Sequence, residues 1–176
     1  MSKSVSRQPE VRSFPTDGLI PNNPALPMLI WRGVLPELAL DSPHDVIRHL
    51  QLNAWAGAWI NGIYPFQHYH ARAHEVLVIT SGSAEVIFGG PGGLKTTVSA
   101  GDVVVLPAGT GHCRLDEAPN FSVVGAYPAG QEDWDLKRDR PQDFALAQSE
   151  IPNVPLPKTD PLFGVDGPLV DLWPRP

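Results

Sequence analysis

Across residues 55–127 Gly and Pro cut the chain at short, regular intervals, and the pieces left between them are rich in β-branched and aromatic side chains. Helices need longer uninterrupted runs, so this punctuation favours strands and turns. The candidate strands are 55–64, 75–80, 84–88, 96–98, 103–106, 112–115 and 122–127. Between them stand Pro65, Ser81-Gly82, Gly89-Gly90-Pro91-Gly92-Gly93, Ala100-Gly101-Asp102 and Pro107-Ala108-Gly109-Thr110-Gly111. Short strands so spaced predict an all-β antiparallel sandwich or barrel.

The flanks read differently. Residues 1 to about 27 form a polar, proline-punctuated arm, expected to be mobile at its extreme end. Met28-Leu29-Ile30-Trp31 is a candidate strand, and Ser42, Pro43 and Asp45 open a short helix as N-cap, first-turn proline and dipole-matched acid. Val46, Ile47 and Leu50 make its apolar face, which leaves His44 and His49 at the surface. The charged run 131–140 reads as a solvated turn, followed by a helical turn over 143–148. Seven prolines over 151–176 predict an extended, non-helical tail. Its Val154, Leu156, Leu162, Phe163, Leu169 and Trp173 are too apolar for a disordered linker, so it is expected to wrap the barrel or cover a subunit contact. The expectation is one domain, divided into an arm and helix (1–54), a barrel (55–127) and a C-terminal extension (128–176).

Charge and composition narrow the partners. A net charge of −6 without a basic run argues against nucleic acid. No stretch approaches the roughly 18 apolar residues of a membrane span, and the N-terminus lacks the apolar core of a secretory leader. The lone Cys113 allows no intramolecular disulfide and is expected to be inert. A cytoplasmic protein is the expectation.

Chemistry concentrates near residue 70. His68 and His70 are two apart, so on a strand both face one side while Tyr69 faces the other. Glu75 follows at the head of a strand, where Leu77 and Ile79 share its inward face and Val76 and Val78 oppose it. His112 offers a fourth ligand, and by the same alternation Arg114 and Asp116 share its face. Arg114 then either grips a substrate carboxylate or pairs with Asp116 at the barrel mouth. His74 is the ambiguous neighbour; strand parity favours Glu75 as ligand and leaves His74 to support the site or to replace Glu75. Tyr64 and Phe66 have the parity of His68 and are candidate cavity residues, with core packing as the alternative. Trp55 and Trp59 read as core.

Written as patterns, 62–82 is G-x5-H-x-H-x4-E-x6-G and 101–116 is G-x5-P-x-G-x2-H-x3-D. These resemble the two motifs of the cupin family, the first at Gly62, His68, His70, Glu75 and Gly82, the second at Gly101, Pro107, Gly109 and His112. Asp116 departs from the family's usual Asn. The resemblance implies a double-stranded β-helix, a jelly-roll barrel of two antiparallel sheets, with metal ligands at His68, His70, Glu75 and His112. Cupin habit and the apolar tail also suggest a homodimer. Asn61-Gly62, His74-Glu75-Val76-Leu77 and Asp160-Pro161-Leu162-Phe163-Gly164 resemble single-domain bacterial cupins of the YjlB-like group, which has no assigned reaction.

Three imidazoles and a carboxylate suit one divalent transition metal, Fe, Mn, Ni, Zn, Co or Cu, and leave a site charge of about +1 that favours a small anionic ligand. The expected function is a metal-dependent enzyme acting on a small metabolite by dioxygenase or by isomerase or decarboxylase chemistry. The alternative is a non-catalytic metal or small-ligand binding module. Turns should carry Gly82 and Gly101 at positive φ, and Pro107-Ala108-Gly109 should return His112 to the first motif.

Overall fold

The computed structural model describes residues 7–173. The extreme N-terminus expected to be mobile lies outside these residues, as does 174–176. The strands are β1 (Glu10–Arg12), β2 (Met28–Trp31), β3 (Trp55–Asn61), β4 (His68–Tyr69), β5 (Glu75–Ser81), β6 (Ser83–Phe88), β7 (Leu94–Ser99), β8 (Val103–Leu106), β9 (His112–Glu117), β10 (Ser122–Pro128) and β11 (Lys137–Arg138). Three α-helices accompany them, α1 (Pro43–Leu52), α2 (Pro141–Glu150) and α3 (Pro168–Leu172). Among the described residues none is long and apolar enough to cross a membrane.

The strands form two antiparallel sheets, in the orders β1-β2-β8-β5-β10-β3 and β11-β4-β9-β6-β7. Between them lies one apolar core, with Ile30, Leu77, Ile79, Val104 and Val123 from the first sheet and Val86, Phe88 and Val98 from the second. The expected parity of β5 holds: Leu77 and Ile79 point into this core, while Val76 and Val78 join a second core on the sheet's other face. Helix α1 and the tail cover that second face with Val46, Leu50, Leu162, Leu169 and Trp173. Covered on both sides, the central strands can be continuously apolar, as Val103-Val104-Val105-Leu106 is.

Several flanking elements were legible. The Ser42 side chain accepts from the Asp45 N–H at 3.2 Å and caps α1 as its type predicts. Gly82 and Gly101 sit at φ +66° and +100°. The arm does more than pack on the barrel, because β2 pairs with β8 and β1 with β2 inside the six-stranded sheet. His49 is also not simply a surface residue: its Nε2–H donates to the Leu162 carbonyl at 2.7 Å and holds the tail against α1.

The tail corrects a second expectation. It carries a 3-10 turn (Ile151–Asn153) and α3, and its prolines do not prevent them. Pro152 and Pro168 occupy first-turn positions, as Pro43 and Pro141 do in α1 and α2, where a missing N–H removes no helical hydrogen bond. Asp160 organises this region from a fully buried position. Its Oδ1 accepts from the N–H groups of Leu162 (2.8 Å) and Phe163 (3.1 Å), and its Oδ2 from that of Leu169 (3.0 Å). Trp173 Nε1–H then reaches the Pro27 carbonyl at 2.8 Å, which closes the chain's two flanks on each other.

Replacing Asp160 with Ala strands three amide donors, two of them buried, so we expect D160A to lose about 3 kcal/mol of unfolding free energy in urea titration. A loss within experimental error would show that the tail is not part of the cooperative unit.

Candidate metal centre

Three imidazoles enter one end of the barrel, and a main-chain carbonyl holds each by the same atom. His68 Nδ1 meets the Phe66 carbonyl at 2.9 Å, His112 Nδ1 meets that of Thr110 at 3.1 Å, and His70 Nδ1 meets that of Asp135. A carbonyl can only accept, so each Nδ1 carries a proton and Nε2 is left as the coordinating atom. His68 and His112 are direct partners across β4 and β9, with ring centroids 4.0 Å apart. Tyr69 points the other way, into a separate cluster with Ile20, Ala147 and Ile151, as alternation requires.

Glu75 reaches the same point from the opposite sheet. Its Oε2 lies 3.3 Å from His70 Nε2 and 3.5 Å from His112 Nε2, and it has no hydrogen-bond donor of its own. The ligand atoms of His70, Glu75 and His112 all fall within 4.8 Å of one another, and all three residues are buried. Acceptors that face one another in a buried site are held together by a positive charge between them, either a metal ion or a proton on one imidazole. The donor set therefore fits a divalent transition metal. Burial alone would lower the pKa of His70 and raise that of Glu75. Their mutual attraction outweighs burial and shifts both the other way. Burial, with His112 adding to it, pushes His68 down to about 2, so its ring is neutral. His68 lines the cavity but is not in the tight trio.

Tyr127, absent from the sequence-based candidates, fixes the other carboxylate oxygen. Its hydroxyl donates to Glu75 Oε1 at 3.3 Å and accepts from Trp59 Nε1–H at 2.7 Å. Burial first, and then the Glu75 charge, raise the pKa of this phenol, which keeps it a donor. Trp59 can lie here because its strand partner is Gly125, where any Cβ would overlap the indole. The Trp134 ring stacks on Tyr127 at 5.7 Å and meets His70 edge-on at 5.2 Å. These rings wall a cavity of about 620 Å³ above the ligands.

Residues 131–138 act as a clasp. The Asp135 carboxylate accepts from the amides of Ala71 (3.0 Å) and Arg72 (2.9 Å), while Lys137 Nζ lies 3.3 Å from Asp135 and 3.0 Å from Glu150. The solvated turn expected here is thus partly a buried ionic network.

Four sequence candidates take different places. His74 lies outside the trio: its ring packs on Trp173 at 4.9 Å and accepts the Ala108 N–H through Nδ1 at 2.9 Å. Asp116 does not share the face of His112. The β6–β9 register shifts where Glu85 pairs with Asp116 and Val86 with Arg114, leaving Leu115 as an extra residue. The bulge brings Glu117 to the cavity instead, where it pairs with Arg114; Arg114 is thus a cavity residue whose charge is already met. Tyr64 lines the mouth, whereas the Phe66 ring stacks on Tyr64 beneath the Arg138 guanidinium (3.7 Å) and serves the site through its carbonyl.

A family model described as Cupin matches residues 46–133, the stretch that holds both motifs and the trio. The chain belongs to the cupin family. Over 169 residues this cupin is 36% identical to the Bacillus subtilis protein YjlB, itself described as uncharacterized, with 96% of this chain and 99% of that one covered. Among solved structures it is similar to procruciferin, an 11S globulin from Brassica napus, at 17% identity and a TM-score of 0.41, spanning 66% of this chain but only 28% of the globulin. A Klebsiella pneumoniae protein with a double-stranded β-helix domain matches at 16% identity and a TM-score of 0.37, over 77% of this chain and 90% of that one.

Two substitutions test the centre of this cupin. Gly109 sits at φ +93°, and a Cβ there would lie 2.6 Å from both the Asn22 carbonyl oxygen and Ile151 Cδ1. G109V should therefore displace His112 and lower metal occupancy by elemental analysis; full occupancy would refute the role of the turn. Y127F releases one Glu75 oxygen and should weaken metal binding roughly tenfold in a chelator competition, with an unchanged fold by circular dichroism.

Proposed function

We propose that this cupin binds one divalent transition metal through His70, Glu75 and His112, with His68 as the further imidazole, and transforms a small oxygen-donor metabolite there. The observation that carries the reading is the set of Nδ1–carbonyl hydrogen bonds, which turn each Nε2 into a ligand atom beside an undonated Glu75 oxygen. Bound metal would supply Lewis acidity, or with iron the capacity to react with dioxygen.

The chain's own residues define the rest of the chemistry. Trp59, Tyr127, Trp134 and Phe121 give the cavity aromatic walls that exclude water and receive the apolar part of a substrate. Tyr127 keeps its proton at the hydroxyl and hydrogen-bonds through it to Glu75 Oε1 at 3.3 Å, which orients the carboxylate toward the imidazoles. Arg114 recognises an anion only by exchanging Glu117 for it, so the small anionic ligand favoured by the site charge gains less from this guanidinium than it would from an unpaired one.

The test is metal reconstitution followed by paired aerobic and anaerobic substrate screens. Wild-type protein should retain one metal per chain, and an H70A/H112A variant should retain none and lose turnover. Failure of every plausible divalent ion to bind wild-type protein would sink the proposal. Ligand binding without turnover would establish a binding module instead.

A further inference from the structure

A second cavity, of about 700 Å³, shares no lining residue with the first. Leu26, Ile151, Val154 and Leu156 supply apolar wall, and His74 and Lys158 supply polar groups. Its polar character is one-sided, because no Asp or Glu lines it.

The state of His74 follows from its neighbour. An amide can only donate, so the Ala108 N–H at 2.9 Å requires a lone pair on Nδ1 and places the ring proton on Nε2. This is the reverse of the arrangement in the three imidazoles of the metal centre. His74 is 1% exposed, and its Nε2 has no hydrogen-bond partner. The Pro155 carbonyl, which accepts from Gln131 Nε2–H at 2.8 Å, lies close enough to attract the ring proton but outside hydrogen-bond geometry to it. A buried donor without a well-formed hydrogen bond is costly, and a ligand that supplies one relieves the cost.

Other polar groups at the cavity do not compete. Asn23 is spent, donating to the Ala108 carbonyl and accepting the amides of Ala25 and Leu26. Lys158 is exposed at the rim and has no ion-pair partner among the described residues. A buried N–H and an unpaired ammonium both call for an acceptor, and the walls between them for hydrocarbon.

We propose that this cavity binds a small carboxylate with an apolar body. The carboxylate accepts from His74 Nε2–H and pairs with Lys158, and the hydrocarbon lies against Leu26, Ile151, Val154 and Leu156. The site is separate from the metal centre and does not depend on the reaction proposed there.

Hexanoate is a suitable probe, titrated into full-length protein and followed by NMR of backbone amides and imidazole nitrogens. Saturable shifts should centre on Leu26, His74, Val154, Leu156 and Lys158. Hexan-1-ol, with the same chain and no charge, should bind about tenfold more weakly. Lys158 is exposed, so K158E should fold normally and weaken hexanoate by about tenfold, with little effect on hexan-1-ol. The proposal is overturned if no saturable shift occurs at these residues, if shifts are confined to the metal cavity, or if hexanoate binds K158E as it binds wild type. Concentration-dependent broadening at these residues without hexanoate would assign the cavity to a second copy of the chain, and would equally overturn it.

Discussion

Three main-chain carbonyls, those of Phe66, Thr110 and Asp135, hold the imidazoles of this cupin by Nδ1 and set what its buried end can do. A histidine free to rotate or change tautomer is an indifferent ligand, whereas one locked by a carbonyl presents a single lone pair in a single direction. Glu75 completes the arrangement from the facing sheet. The resulting cluster of acceptors is unfavourable in a dry interior by itself, so the fold holds together a site that selects for positive charge.

The architecture around it supplies rigidity from both sides. The six-stranded sheet is packed against the second sheet on one face and against α1 and the tail on the other, so β5 cannot shift Glu75 without disturbing two cores. The tail is anchored by Asp160 to its own amides and by Trp173 to the Pro27 carbonyl. Removing it would expose the apolar back of the strand that carries the ligand.

What could be read in advance divides along physical lines. Strand spans, the cap at Ser42 and the inward parity of Glu75, Leu77 and Ile79 follow from local pattern, because alternation and capping act over a few residues. Parity failed at Asp116 because a bulge at Leu115 is a property of two strands paired, and neither sequence shows it alone. Tyr127 and Trp134 join the site through contacts distant along the chain, although Gly125 within an apolar strand was a signal that something packs closely there. The prolines mislead for a simpler reason: proline breaks a helix interior, but in α2, the 3-10 turn and α3 it stands in the first turn.

The clasp at Asp135 bears on how anything enters the cavity. The residue next to Trp134 gives its carbonyl to His70 and its carboxylate to the Ala71 and Arg72 amides. Swinging Trp134 aside would pull on the orientation of a ligand imidazole, so a door hinged there would trade admission against retention of the metal. The Trp134 side of the cavity is therefore a wall tied to the imidazole beneath it and not a free flap.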